Sequence, residues 1–435
     1  MRCIQCNTDN NLKERTQHRG RCKKCNHPFV FNPKAGSLFT DKLFKHSVEA
    51  ISSNETLYYT PKQLSYFLEK RLNQKSSNGF FGNFIGTIIL CVFLAVPLFG
   101  IFEGIGVALI QAGFRLEITC ILLFEIFFYW SSWSALNSNK LLLKKRTIYS
   151  KILRIFGFFV IGLGIAMSLN LKTNIIATVI FLVMSIGFGL LYIGLANRNL
   201  KNRFYATQDP NFDQRQLDSW LQQWQQVNSL PKILLTVPEI SGNQVSSEIT
   251  NYSFDRVVIC DSDRLAHLLI KNNFHFEHNC AILSINQYPK PIFPTILEML
   301  KRNPNLKAYA FHNADPQGVK MAHQLRTDPN WFGDMNIKIY DLGLQPYHVF
   351  NSRNMIIRQS TQSATEAKQL SSVIRKSLSQ EELKWLEAGN YVELESFTPY
   401  RLLKVLAAGI AQNQLESIEE DRVNLSISVL NESFG

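Results

Sequence analysis

The first residues of the chain lack the apolar core and small-residue cleavage site of a secretory signal, and Cys3 and Cys6 stand where a signal would carry its basic region. The N-terminus is therefore expected to stay on the chain. A secreted disulfide framework is not indicated either. The eight cysteines fall into separate groups: Cys3, Cys6, Cys22 and Cys25, then Cys91 and Cys120, then Cys260 and Cys280. That distribution suits one metal site plus scattered reduced thiols, as in a cytosol. The C-terminal half also lacks a basic excess. Residues 215–435 carry 21 Lys or Arg against 23 Asp or Glu, whereas residues 1–80 carry 14 against 6 and residues 81–214 carry 11 against 5. Non-specific affinity for nucleic acid comes largely from neutralising phosphates. A nucleic-acid partner would thus be held mainly by the N-terminal and membrane-proximal regions.

What the middle of the chain has is long apolar runs. A helix crossing the hydrocarbon core of a bilayer needs about 20 mostly apolar residues. Four stretches qualify, approximately Phe84 to Phe102, Leu116 to Leu136, Ile152 to Leu169 and Ile175 to Ala196. The connector from Glu103 to Arg115 is itself partly apolar, so the first boundary is ill-defined. The loop between the second and third stretches contains Lys140, Lys144, Lys145, Arg146 and Lys151 and no acid, while the opposite loops offer only Arg115 and Lys172. Basic short loops are retained on the cytoplasmic side, so both termini are expected there, in a bacterial inner or plasma membrane. Tyr129, Trp130 and Trp133 suit an interfacial belt. Glu125 is the most central ionisable group in these stretches and should face the bundle interior. It serves either an ion pathway or a hydrogen-bonded structural role. No paired broken helices and no second mid-depth acid accompany it, so a transporter is weakly indicated.

Cys3-x2-Cys6 and Cys22-x2-Cys25, fifteen residues apart, have the spacing of a four-cysteine zinc site. Each pair forms a knuckle presenting two thiolates, and two knuckles complete a tetrahedron with no open position, which makes the zinc structural. His18 and His27 are alternative ligands that a closed site does not need. The segment RCKKCNHPFVFNP resembles half of a zinc ribbon, with Phe29 and Phe31 as packing residues. Arg15, Arg19, Arg21, Lys23 and Lys24 make a basic face for nucleic acid or for a recruited protein.

Two short helices follow. Thr40 can cap one with Leu43, Phe44, Val48 and Ile51 on a single face. Thr60-Pro61 opens another carrying Leu64, Phe67, Leu68 and Leu72, and the intervening ETLYY is strand-like. Beyond the apolar region, Trp220 and Trp224 share one face of a polar helix expected to pack on the domain that follows. From Asp255 onward strands and helices alternate: Arg256-VVICD, a helix Arg264 to Lys271, Cys280-AILSI, a helix Phe293 to Arg302, Lys307-AYAFH, a helix Gly318 to Arg326, and Asn336-IKIYD. This alternation predicts a parallel α/β sheet. Ligands of such sheets bind at the strand C-terminal ends, where VVICDSD places Asp261 and Asp263, and AYAFHNADPQG places His312, Asn313 and Asp315 before Gly318. Aspartates in these positions also cap helices or tighten turns without any metal.

Here the sequence resembles the Toprim domain, particularly that of the type IIB topoisomerase (topoisomerase VI) A subunit and related recombination proteins, over roughly residues 250 to 410. The resemblance implies a Rossmann-like parallel sheet and a magnesium site beside a nucleic-acid phosphate. It assigns catalytic roles to Asp261, Asp263 and Asp315, magnesium binding to Asp261 and Asp315, cofactor contacts to His312, Asn313 and Gly318, and topoisomerase- or nuclease-like chemistry. YVELESF, with Glu393 and Glu395, looks like a further segment of that family. The sequence departs from the pattern in having Asp261 for a glutamate and Asn313 for the leading aspartate of a D-x-D pair, which removes one of the negative charges that a hard cation prefers. Tyr66, in TPKQLSYFL, is vaguely similar to the family's nucleophilic tyrosine, but it precedes the apolar region and helix-face tyrosines usually pack.

The expected organisation is multi-domain: a zinc ribbon (1–36), a small helical or winged-helix-like unit (37–80), four transmembrane helices (81–200), a linker and connecting helix (201–250), and a Toprim-like α/β domain (251–435). Two functions follow. One is a membrane-tethered protein acting on or sensing nucleic acid or another phosphate ligand. The other is a non-catalytic membrane scaffold whose ribbon recruits a cytoplasmic protein and whose α/β domain has lost its metal chemistry.

Overall fold

The computed structural model describes residues 1–33, 37–72, 143–170, 175–201, 254–303, 306–333, 335, 337–352 and 355–416, together with shorter stretches within 128–136 and 210–235. It divides into two compact units, one formed by Met1–Leu72 with Pro210–Gly435 and the other by Asn73–Asp209.

In the first unit, the N-terminal residues form two matching knuckles. The Cys3 amide donates to Thr8 O at 3.0 Å and the Cys22 amide to His27 O at 2.9 Å. Asn7 and Asn26 take the left-handed turn positions, φ 58° and 60°, which asparagine tolerates better than most side chains. The helix Leu12–Gln17 separates the knuckles. Phe29 and Phe31 pack as expected, Phe29 under the Arg15 guanidinium and Phe31 fully buried. Asp41 ties this head to the next helix, Asp41–Ile51, by accepting the Val30 and Phe31 amides at 3.1 and 2.7 Å.

A second helix runs over 61–72. Thr60 and Gln63 form a reciprocal cap, with the Gln63 amide on Thr60 Oγ1 and the Thr60 amide on Gln63 Oε1. Phe44, Val48, Ile51, Leu64 and Leu68 point into one aromatic core with Phe31 and Phe39. The helix Gln214–Val227 adds Leu217, Leu221 and Trp224 to that same core. This corrects the expectation that it packs on the domain after it. The reason is chemical: the apolar stripe of Leu217, Leu221 and Trp224 meets the open aromatic face of the head, with Phe31 stacked on Trp224 at 5.9 Å. A parallel bridge from Tyr59 to Leu234 closes the arrangement. One small module is thus assembled from residues on both sides of 73–209.

The α/β domain contains four parallel strands, β1 (Arg256–Cys260), β2 (Cys280–Ser284), β3 (Lys307–Phe311) and β4 (Lys338–Asp341), in the order β2-β1-β3-β4. All five residues of β1 and of β2 are buried, as expected for a parallel sheet covered on both faces. Val257, Ile259, Leu283, Ala308 and Ala310 pack against Ile296 and Leu300 of the helix Phe293–Arg302 and against Met321 and Leu325 of the helix Pro316–Thr327. The chain leaves β1 toward β2 on one side and returns to β3 on the other. The crevice between the C-terminal ends of β1 and β3 is therefore the topological switch point, where open α/β sheets take their ligands.

In the second unit, two helices, Leu143–Asn170 and Ile175–Lys201, contain stretches long and apolar enough to cross a membrane, Tyr149–Ala166 and Thr178–Arg198. Among the described residues there are two such helices rather than the four expected. The first expected stretch, about two-thirds of the second, and Glu125 lie outside the described residues. Small residues bring the two helices together: a Cβ on Gly157 would lie 2.7 Å from Gly189 O, and one on Gly164 would lie 2.4 Å from Ser185 Cβ. Ile155, Phe158, Phe159, Val183 and Leu190 face outward, each more than half exposed.

Candidate metal and phosphate sites

The four head cysteines come together. Cys3 and Cys25 sulfurs are 3.5 Å apart, as are those of Cys6 and Cys22, and all four lie within 4.8 Å of one another. This group could hold a metal ion, and His18 and His27 are not part of it. Sequence reasoning missed the fully buried Asn10. Its Nδ2 reaches Cys22 Sγ at 3.5 Å and its Oδ1 accepts the Lys23 amide at 2.9 Å, so one side chain tethers the two knuckles. The expected basic face is smaller than its sequence suggests. Arg15 is buried against Phe29, and Lys23 is paired with Glu14 at 2.6 Å.

At the switch point, Asp261 follows β1 and its Oδ2 accepts the Asn313 amide at 2.8 Å, directly across from the end of β3. Its Oδ1 is buried with no hydrogen-bond partner. Burial, reinforced by the charge of Asp315, pushes the Asp261 carboxyl up to about 7. Asp315 caps the helix Pro316–Thr327 by accepting the Gly318 amide at 2.6 Å. Burial raises its pKa too, opposed by that amide and by His312, with Glu393 adding to the rise. Gly318 is needed for close packing, since a Cβ there would lie 2.0 Å from Asn313 O.

The other expected contacts lie elsewhere. Asp263 turns toward β2, where its Oδ1 accepts the Ser284 hydroxyl and, at 3.2 Å, the Asn286 side-chain Nδ2. It is therefore committed on the opposite side of β1 from Asp315. The Asn313 side chain accepts the Leu394 amide at 2.7 Å. His312 is fully buried beneath the site, with Nε2 2.9 Å from Asp341 Oδ1 and Nδ1 2.8 Å from Asn313 O. A carboxylate and a carbonyl can only accept, so both ring nitrogens donate and the ring is an imidazolium. Burial works against that charge, but Asp341 outweighs it and raises the His312 pKa to about 9.

An antiparallel bridge between Ala314 and Val392 delivers YVELESF to the same edge. Burial raises the pKa of Glu395 there, and Thr60 Oγ1 donates to it at 2.6 Å. The least expected neighbour is the helix over 61–72. Lys62 Nζ is 2.7 Å from Glu393 Oε1, and the Tyr66 hydroxyl donates to Glu393 Oε2 at 2.6 Å. Glu69 pairs with Arg358, whose guanidinium lies 5.2 Å from the Tyr66 ring. Burial and then Glu393 hold the Tyr66 phenol well above its ordinary pKa, so it is a neutral donor in this arrangement. Lys62, Glu69 and Arg358 were missed in the sequence. The available signal was the 62, 66, 69 spacing, which puts three polar groups on one helix face.

No family model and no curated protein matches the chain.

Proposed function

We propose that the chain is a membrane-tethered protein whose Toprim-like α/β domain holds a divalent ion, magnesium by its chemistry, at Asp261 and Asp315 and uses it to bind nucleic acid or another phosphate ligand. The observation that carries this reading is the buried, unpartnered Oδ1 of Asp261 at the switch point, beside a second carboxylate. A hard cation supplies what that oxygen lacks, and magnesium needs only one or two protein carboxylates because it keeps several waters. Bound there, the ion would neutralise phosphate charge, while Asp261 and Asp315 hold it.

The tether is read as four spans with both termini cytoplasmic. The outward apolar side chains of the two described helices support membrane association itself, since water would not tolerate such a surface on a monomer; the span number and the side of the termini rest on the apolar runs and basic loops of the sequence. The head metal is read as structural zinc. A tetrahedron of Zn–S bonds about 2.3 Å long spaces its sulfurs by about 3.8 Å, close to the observed 3.5 Å.

The scaffold reading is favoured by one observation, the use of Asp315 as a helix cap. Magnesium titration of the full chain in detergent separates the two. Saturable binding that disappears in Asp261→Asn supports the metal site, and binding indifferent to Asp261 leaves the scaffold.

A further inference from the structure

We infer that the helix over 61–72 is a latch on the acidic site: Lys62 and Tyr66 hold Glu393 closed, and a divalent cation competes with Lys62 for that carboxylate. This rests on the metal reading above and adds how the site is controlled.

The helix has two unlike faces. Leu64 and Leu68 are fully buried in the aromatic core of the head module. The opposite face meets the α/β domain through polar groups: Lys62 and Tyr66 on Glu393, and Glu69 on Arg358. At the start of the helix, Thr60 bonds Glu395 and Gln63 Nε2 bonds Phe397 O at 3.0 Å. An apolar seam between the same elements would be more stable, because buried ion pairs recover little more than their desolvation cost. A seam of charges has a different property, in that a competing ion can open it.

Glu393 is where competition would act. Its backbone is fixed independently of the helix, one residue beyond the Val392 bridge to Ala314. Its carboxylate, however, has Lys62 on one oxygen and Tyr66 on the other. Both oxygens are spent on the helix, so Glu393 is withheld from Asp261 and Asp315 although its charge is felt at Asp315. If Lys62 and Tyr66 withdraw, Glu393 becomes a third carboxylate beside two that already repel each other, and that set calls for a divalent cation. Lys62 is about one-third exposed and Glu393 less than one-sixth, so the ammonium can leave for water while the carboxylate cannot. The two cations are thus alternative partners of Glu393, and ion binding and helix docking oppose each other reciprocally.

The test uses the full chain in detergent with Mg2+ followed by calorimetry and Mn2+ by spin resonance. Lys62→Gln combined with Tyr66→Phe should tighten binding roughly tenfold, within the usual range of coupling between sites. Adding Glu393→Gln should erase that gain. In the unsubstituted chain, saturating Mg2+ should speed acetylation of Lys62 by an amine-reactive reagent several-fold, read residue by residue by mass spectrometry. That measurement, with Lys62→Gln alone, decides the matter if the double variant does not fold. Asp261-dependent binding of equal affinity with and without the latch residues, or Lys62 acetylation indifferent to Mg2+, overturns the latch alone. Absence of Asp261-dependent binding in every variant overturns the metal reading and the latch with it.

Discussion

The two candidate sites contrast in how they are built. The cysteine cluster is local: two copies of one knuckle, within 25 residues, whose turns are set by Asn7 and Asn26 and which Asn10 ties together. The acidic site is composite. Asp261, Asp315 and Glu393 come from three loops of the α/β domain, and Lys62 and Tyr66 arrive from more than 300 residues before Glu393. A local site depends on its ion for its fold, whereas a composite one depends on the fold for its ion. Substitutions should therefore act on stability at the first and on ligand binding at the second.

The largest effect that sharpens this contrast is expected at the head. Replacing Cys22 and Cys25 by serine removes half the thiolates, and the apparent binding energy of such an ion, on the order of 10 kcal/mol, is folding energy. Metal content at this cluster should fall from one ion per chain to near zero, and the head should lose its cooperative unfolding transition. Retention of both would break the claim that this region folds around its ion.

The next effect is expected where the helix over 61–72 meets the α/β domain. Arg358→Met removes the cation that faces the buried Glu69, and breaking such a buried ion pair costs about 3–5 kcal/mol. Replacing both residues by methionine should recover most of that loss. A denaturation cycle of the two single variants and the double measures this. Additive losses would show that the pair contributes no coupling.

How much could be read in advance follows the same division. The knuckle spacing, the caps at Thr40 and Thr60, and the strand–helix alternation after Asp255 were legible, because each depends on neighbours within a few residues. The association of Trp224 with Phe31 and Phe44 was not, nor was that of Tyr66 with Glu393. Both join residues on opposite sides of the apolar region, and periodicity tells which face of a helix is apolar but not what covers it. Arg15 shows the same limit for charge: its count suggested a solvated basic face, but the residue is buried with its guanidinium over the Phe29 ring.

An intermediate effect is expected from pH. His312 gains a partner on folding, so its pKa rises from 6.5 to about 9, and Asp341 is held below its ordinary 3.8 mainly by that imidazolium, against the opposing effect of burial. The His312 contribution is full below 6.5 and is lost as pH rises through about 9. The Asp341 contribution is present above 3.8 and is lost as pH falls through its lowered value. His348, Asp261 and Asp315 also face this pair, and burial keeps His348 neutral by lowering its pKa to about 4. Stability of the α/β domain should fall between pH 7 and 10, and Asp341→Asn should flatten that profile. An unchanged slope in the variant would place the titration elsewhere.

The smallest effect is expected at Asp315, where one carboxylate serves both sides of the contrast. As a helix cap it accepts the Gly318 amide, and an asparagine in its place accepts the same bond. Loss of such a cap to alanine costs about 1 kcal/mol, whereas asparagine caps about as well as aspartate. Asp315→Asn should therefore unfold at nearly the temperature of the unsubstituted chain, and Asp315→Ala a few degrees lower. Magnesium binding should follow charge instead of capping, since an amide removes the negative charge that a hard cation prefers. It should weaken to a similar extent in both variants. Calorimetric titration and thermal unfolding of the same two preparations separate the roles. If Asp315→Asn binds magnesium as tightly as the unsubstituted chain, Asp315 is a turn residue only and Asp261 must find its cation without it.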